Sequence, residues 1–271
     1  MTITRPSTST TLSHAKLEGQ LAAHRWIRRN DPFPHFLAYD VFKPDVYEQL
    51  ASAFNAAVGA TQDRPYLEKH DIHGRTLTPD IASPFNTILS REWHDLVANV
   101  LGITATGHIA AGLHHHRVGS SHGFPHNDFN PGWFNGDAAP DTVEIGDDFV
   151  NYTTGVALQS GAQPYETVRA ASLLFYLSNP PWEPGDGGMT GLYGSDAANI
   201  EEPVSCAPPI NNSLLLFECT PQSFHGFISN RVKPRNSIVQ WLHQSKDDAL
   251  AKWGPDSIVP YGAVPPKRRT A

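Results

Sequence analysis

The sequence predicts a mainly β protein of the α+β class, a sandwich or barrel with helices from the N-terminal part set against one side. Three observations lead there. Apolar residues recur at helical spacing only ahead of about residue 106. Beyond that point the apolar runs are short, β-rich and separated by Gly, Pro, Asn and Asp. No internal repeat and no Gly-, Ser- or Pro-rich linker divides the chain, so helices first and strands after belong to one layered unit.

Residues 1–14, MTITRPSTSTTLSH, hold no apolar segment and read as a flexible arm. From Ala15 to about Arg29 the pattern is helical, and DPFPHFLAYDVF then reads as a short extended segment of alternating apolar residues. KPDVYEQLASAFNAAV follows, with Pro44 near a helix start and Val46, Leu50, Phe54 and Val58 four apart. That spacing makes one apolar face. A second helix is predicted over ILSREWHDLVANVLG, with Ser90 as N-cap and Gly102 just past its end.

The strand candidates come next: HIAAGLHHHRV, AASLLFYLSN, NNSLLLFECT and NSIVQWLHQ. Between Phe129 and Val168 lies a segment too long for a hairpin loop. It carries Asp137, Asp141, Glu144, Asp147, Asp148 and Glu166 without one Lys or Arg. Loops of that length are functional or mobile, so residues 129–168 are expected to form an insert or lid. The chain is therefore read as one domain over 15–250, with residues 251–271, ending PPKRRTA, as a C-terminal tail.

Composition excludes several function classes. A net charge of -7 argues against a phosphate-backbone binder, so nucleic acid is not an expected partner. Cys206 and Cys219 are the only cysteines, too few for a disulfide framework and in no metal-type spacing, which fits a reducing cytoplasm. No apolar run is long enough for a membrane span. Oligomeric state stays open.

The chemistry gathers in GFPHNDFNPGW. In an extended segment side chains alternate, so His126 and Asp128 point the same way and could share one metal. His225, in SFHGFISN after a predicted strand, would complete two His and one carboxylate. That is the facial triad of non-haem Fe(II) oxygenases, with three metal positions open. Ten residues after His225 stands Arg235, with Ser237 on the same face of the strand RNSIVQW. A guanidinium and a hydroxyl placed so can receive one carboxylate. A triad with a carboxylate receptor disfavours two other classes: a cupin-like metal enzyme without 2-oxoglutarate, and a non-catalytic binding barrel.

With these residues in view, the chain resembles the Fe(II)/2-oxoglutarate-dependent oxygenases, particularly their prolyl-4-hydroxylase-like branch. The likeness extends to PFPHFLAYDVFKPDVYEQL, SLLFYLSNPPWEPGDGGMTGLY and NSLLLFECTPQSFHGF, and spans about residues 30 to 245. It implies a double-stranded β-helix, a jelly-roll or cupin-like barrel, with iron between its two sheets. It also implies His126, Asp128 and His225 as iron ligands, and Arg235 with Ser237 as the pair that binds the C5 carboxylate of 2-oxoglutarate.

The branch often has a Tyr nine residues before the first His ligand as a further co-substrate contact; this chain has Arg117 there. Arg117, His114, His116 and Tyr176 are then the candidates for that contact. The implied reaction joins decarboxylation of 2-oxoglutarate by O2, giving succinate and CO2, to oxidation of a substrate C–H. Halogenases of the superfamily have Gly or Ala in place of the carboxylate, so Asp128 points to hydroxylation. The implied substrate is a small molecule, amino acid or peptide, in natural-product tailoring or, alternatively, peptidyl-prolyl hydroxylation.

Overall fold

Strand alternation gives one large sheet two unlike faces, and the fold follows from how each is covered. The computed structural model describes residues 17–59, 73–82, 85–139 and 141–260. The N-terminal arm expected over 1–14 and the end of the C-terminal tail lie outside the described residues. In chain order the elements are α1 (Leu17–Gln20), β1 (Ile27–Arg29), β2 (His35–Tyr39), α2 (Pro44–Gly59), β3 (His73–Thr76), α3 (Arg91–Leu101), β4 (His108–His116), β5 (Pro131–Asn135), β6 (Glu144–Ile145), β7 (Pro164–Tyr176), β8 (Thr190–Tyr193), β9 (Ser205–Ala207), β10 (Ser213–Glu218), β11 (Phe224–Phe227), β12 (Arg235–Ser245) and α4 (Lys246–Trp253).

Nine strands make the large sheet, in the order β1-β2-β10-β7-β12-β4-β3 with β5 added on β7 and β6 on β4; β11-β8-β9 make a small sheet. One face of the large sheet carries Leu173, Phe175, Leu214, Leu216, Ile238 and Leu242. Against it pack Leu50, Phe54 and Val58 of α2 and Trp93 and Val97 of α3. The helical spacing of four read from α2 is therefore the spacing of its buried face. Ser90 caps α3 by accepting from the Trp93 amide at 3.1 Å, and Gly102 ends it at a φ of 67°, the left-handed turn that glycine adopts at no steric cost.

The other face presents Leu174, Tyr176, Leu215, Phe217 and Val239, which pack with Leu192 of β8 and Ala207 of β9. The small sheet therefore faces the large one across a second, smaller core. The large sheet runs from β1 to β3 without closing on itself. The fold is thus mainly β with helical buttressing, in two facing sheets rather than one continuous barrel.

Two expectations are corrected. Among the described residues the helical pattern from Ala15 to Arg29 is realised only over Leu17–Gln20, and Ile27–Arg29 pair instead with Leu37, Phe36 and His35. The open edge of β2 supplies these backbone groups with partners, which outweighs weak local propensity. The segment 129–168 is also not a free loop. Pro131–Asn135 pair with Pro164–Val168, and Glu144 and Ile145 run parallel to His108 and Ile109. Its acids serve partly as local ties: Glu166 pairs with Lys246 at 2.8 Å, and Asp147 accepts from the Phe149 amide at 2.9 Å. Among the described residues no helix is long and apolar enough to cross a membrane.

Candidate metal centre

His126 and His225 meet as a two-residue antiparallel bridge outside the main ladders, with amide-to-carbonyl bonds of 2.9 and 2.8 Å. Residues paired this way project side chains to one side, and the two rings stand 4.5 Å apart. Asp128, two residues along, joins them. One ligand atom from each of His126, Asp128 and His225 falls within 4.8 Å of the others. His126 Nδ1 bonds the Phe124 carbonyl at 2.8 Å and His225 Nδ1 the Ser223 carbonyl at 3.2 Å. A carbonyl only accepts, so each Nδ1 carries the proton and each Nε2 keeps its lone pair. Those Nε2 atoms lie 3.8 and 3.3 Å from the Asp128 oxygens.

The electrostatics suit a cation. Partial burial and the neighbouring His225 ring lower the pKa of His126. Burial opposes ionisation of Asp128, yet Arg169 and His225 outweigh it and hold the carboxyl well below its usual range. Two imidazoles and one carboxylate form the donor set of a non-haem Fe(II) site with positions left open. The residues present therefore fit the metal.

A second polar cluster sits on the same face. Arg235 opens β12 at 3% exposure, its guanidinium 5.3 Å from the Tyr176 ring and 5.4 Å from that of Phe227. Its Nη2 donates to Thr190 Oγ1 at 3.2 Å, and Tyr176 donates to the same oxygen at 2.7 Å. Arg235 Nε and the fully buried Ser237 hydroxyl have no hydrogen-bond partner among the described residues. Ser237 pairs across strands with Tyr176 on one side and His114 on the other, and Arg235 with His116. Unmade bonds from buried donors cost about 1–3 kcal/mol each. A carboxylate set between Arg235 and Ser237 would satisfy both, so these residues fit 2-oxoglutarate as well.

Of the candidates for the missing Tyr contact, Tyr176 lies in this cluster, and His116 stacks on Phe227 at 3.8 Å beside it. Arg117 is set differently. The residue follows the end of β4, its side chain is exposed, and its carbonyl accepts from Asn230. Gly187 and Gly188 both take a φ of 74°, Gly187 bridges to Asn230, and a Cβ at Gly187 would clash with the Ser229 carbonyl oxygen.

Sequence reasoning missed what holds Asp128. Arg169 Nη1 donates to its Oδ1 at 2.9 Å, while Ser172 Oγ and Trp241 Nε1 donate to its Oδ2 at 3.0 and 2.8 Å. One signal was available: Arg169 is the only charged residue in the buried stretch 167–176 of β7. Buried charges are paired, so its partner had to be sought.

The family model of the 2OG-Fe(II) oxygenase superfamily matches residues 148–243, which include His225, Arg235 and Ser237; the His126 and Asp128 pair precedes the match. No curated protein matches the chain. Among solved structures, a Trichoplax adhaerens prolyl hydroxylase in complex with a hypoxia inducible factor peptide fragment is similar at a TM-score of 0.51 and 15% identity. The similarity covers 80% of this chain and 86% of that one. A Pseudomonas putida prolyl-4-hydroxylase gives a TM-score of 0.48 and 14% identity over 78% of this chain and 92% of that one. A Phytophthora capsici prolyl 4-hydroxylase gives 0.48 and 15% over 79% of this chain, which spans 61% of that longer one. Over residues 148–243 the chain is similar to the 2OG-Fe(II) oxygenase superfamily, and its His126, Asp128 and His225 cluster fits an Fe(II) ion.

Proposed function

We propose that this protein is a 2-oxoglutarate-dependent dioxygenase using Fe(II) and O2, which hydroxylates an unactivated C–H of a small molecule, amino acid or peptide, in natural-product tailoring. The observation that carries the reading is the pair of unpartnered buried donors, Arg235 Nε and Ser237 Oγ, beside a complete His126, Asp128 and His225 cluster. A metal enzyme without 2-oxoglutarate has no use for the first. When bound, Fe(II), O2 and 2-oxoglutarate supply the oxidising power that breaks a C–H bond, with succinate and CO2 released.

The chain's residues bind and orient. His126, Asp128 and His225 would hold the metal through Nε2, one carboxylate oxygen and Nε2. Arg235 and Ser237 would receive the distal carboxylate of the co-substrate, with Thr190 and Tyr176 keeping the guanidinium in place. The aromatic rings of Tyr176 and Phe227 around that guanidinium exclude water, which strengthens each charge-assisted bond. Free thiols at Cys206 and Cys219 support a cytoplasmic setting.

A second reading, peptidyl-prolyl hydroxylation, draws support from the fold shared with the peptide-bound Trichoplax enzyme. Succinate release over a panel of amino acids, proline-containing peptides and natural-product intermediates separates the two, with mass spectrometry locating the added oxygen. Turnover of proline peptides alone would replace the tailoring reading. No binding of 2-oxoglutarate by the parent would sink both.

A further inference from the structure

We propose that Tyr152, carried by the 129–168 segment, is a positioning residue for the metal ligand Asp128 and acts through Arg169. The inference rests on reading His126, Asp128 and His225 as a metal site. A carboxylate offers about four lone-pair sites. At least three accept protein donors: two on Oδ2, from Ser172 and Trp241, and one on Oδ1, from Arg169. The clamp therefore fixes the direction of the carboxylate and leaves it little capacity beyond one bond with a metal.

Arg169 is itself held from behind. Its guanidinium lies 3.7 Å over the Trp241 ring, and its Nε donates to the Tyr152 hydroxyl at 3.1 Å. Proton order along the chain of bonds beyond follows from the acceptor at its end. Thr167 donates to the Gly132 carbonyl at 2.8 Å, so its oxygen accepts from His243 Nδ1 at 2.9 Å. His243 Nε2 is then an acceptor, and the Tyr152 hydroxyl donates to it at 3.1 Å. The Tyr152 oxygen in turn accepts from Arg169. Along this chain of bonds Arg169 Nε, Tyr152, His243 and Thr167 each donate away from Asp128.

The segment is fitted to this task. Trp133 and Tyr152 are tied by an amide-to-carbonyl bond of 3.0 Å. A Cβ at Gly132 would stand 2.4 Å from His243 and 2.9 Å from the Tyr152 ring, so only glycine lets the two meet. The insert thus braces the metal's carboxylate from outside the ligand set.

The test uses Co(II) as metal probe on the full chain, with affinity by titration, the visible d–d spectrum and the apo melting temperature measured for each variant. Tyr152→Phe removes one hydroxyl and keeps the ring. Arg169→Gln removes the charge and the fork, and Arg169→Lys restores charge alone. Losing a partner of a metal ligand costs 10–100-fold in affinity. Arg169→Gln should weaken Co(II) by that much and alter the d–d band. Arg169→Lys should recover part of the loss, and Tyr152→Phe should move the band the same way with a several-fold loss. Parent-like affinity and spectrum in Tyr152→Phe would overturn the proposal, even with a lower melting temperature, because the hydroxyl would then serve folding only. If the parent binds no Co(II), the metal reading falls and the proposal with it.

Discussion

The two faces of the large sheet are made from alternate residues of the same strands, yet they behave as different materials. On β12, Ile238 and Leu242 face the helices within a dry core, and the buried Gln240 between them is bonded at both ends, to Trp93 and to the Ile88 carbonyl. One residue out of step, Arg235 and Ser237 face the small sheet with donors unmet among the described residues. A face with every polar atom satisfied is built for stability. One that keeps buried donors waiting gives up stability for a ligand.

The helix-side face should give the largest stability effect. Phe175 is fully buried and meets Phe42 edge-on at 5.3 Å. Phe175→Ala should cost about 3–5 kcal/mol through lost burial and the cavity left behind. Denaturant unfolding measures it. Metal and 2-oxoglutarate affinities of the folded protein should stay near the parent's, and a parallel collapse of either would show that the faces are not independent.

Arg235→Lys moves the contrast to the other face. The ammonium keeps the charge but loses the fork, so 2-oxoglutarate should bind tenfold or more weakly, while metal affinity and unfolding midpoint change little. Calorimetric titration of both ligands reads the split. Metal affinity falling in step with 2-oxoglutarate would place Arg235 in general support of the site rather than in co-substrate binding.

What the sequence revealed was whatever it encodes locally. The two helices α2 and α3, the caps of α3 and the strands β4, β10 and β12 follow from spacing within a dozen residues. His126 with Asp128, and Arg235 with Ser237, are pairs two apart on extended backbone, so their shared direction was readable before any tertiary contact was known. The clamp on Asp128 was not, because Arg169, Ser172, Trp241 and Tyr152 converge on it from three separate segments. Nothing in the spacing of 128 and 169 announces a contact. Arg117 was misplaced for a related reason: position relative to a motif gives a register, but the chain leaves β4 before that residue and turns its side chain to solvent. The helix expected up to Arg29 was lost to an unpaired strand edge, a tertiary demand that local pattern does not carry.

The smallest effect is also the one that separates the faces by sign. Ser237 is fully buried, and its hydroxyl has no partner among the described residues. Removing a buried group that makes no bond relieves its desolvation cost, so Ser237→Ala without co-substrate should be as stable as the parent or more stable by up to about 1 kcal/mol. With 2-oxoglutarate present the sign reverses. One neutral hydrogen bond of about 0.5–1.5 kcal/mol is lost, and binding should weaken several-fold, less than for Arg235→Lys. Ile238→Ala, one residue along on the helix side, supplies the opposite pattern: a loss of about 2–5 kcal/mol in stability with co-substrate affinity unchanged. Thermal unfolding with and without 2-oxoglutarate measures both variants in one experiment, since a ligand that binds only the folded state raises its stability by mass action. Destabilisation of Ser237→Ala in the absence of 2-oxoglutarate, equal to that in its presence, would mean the hydroxyl is a structural group after all. The waiting donor would then be Arg235 alone.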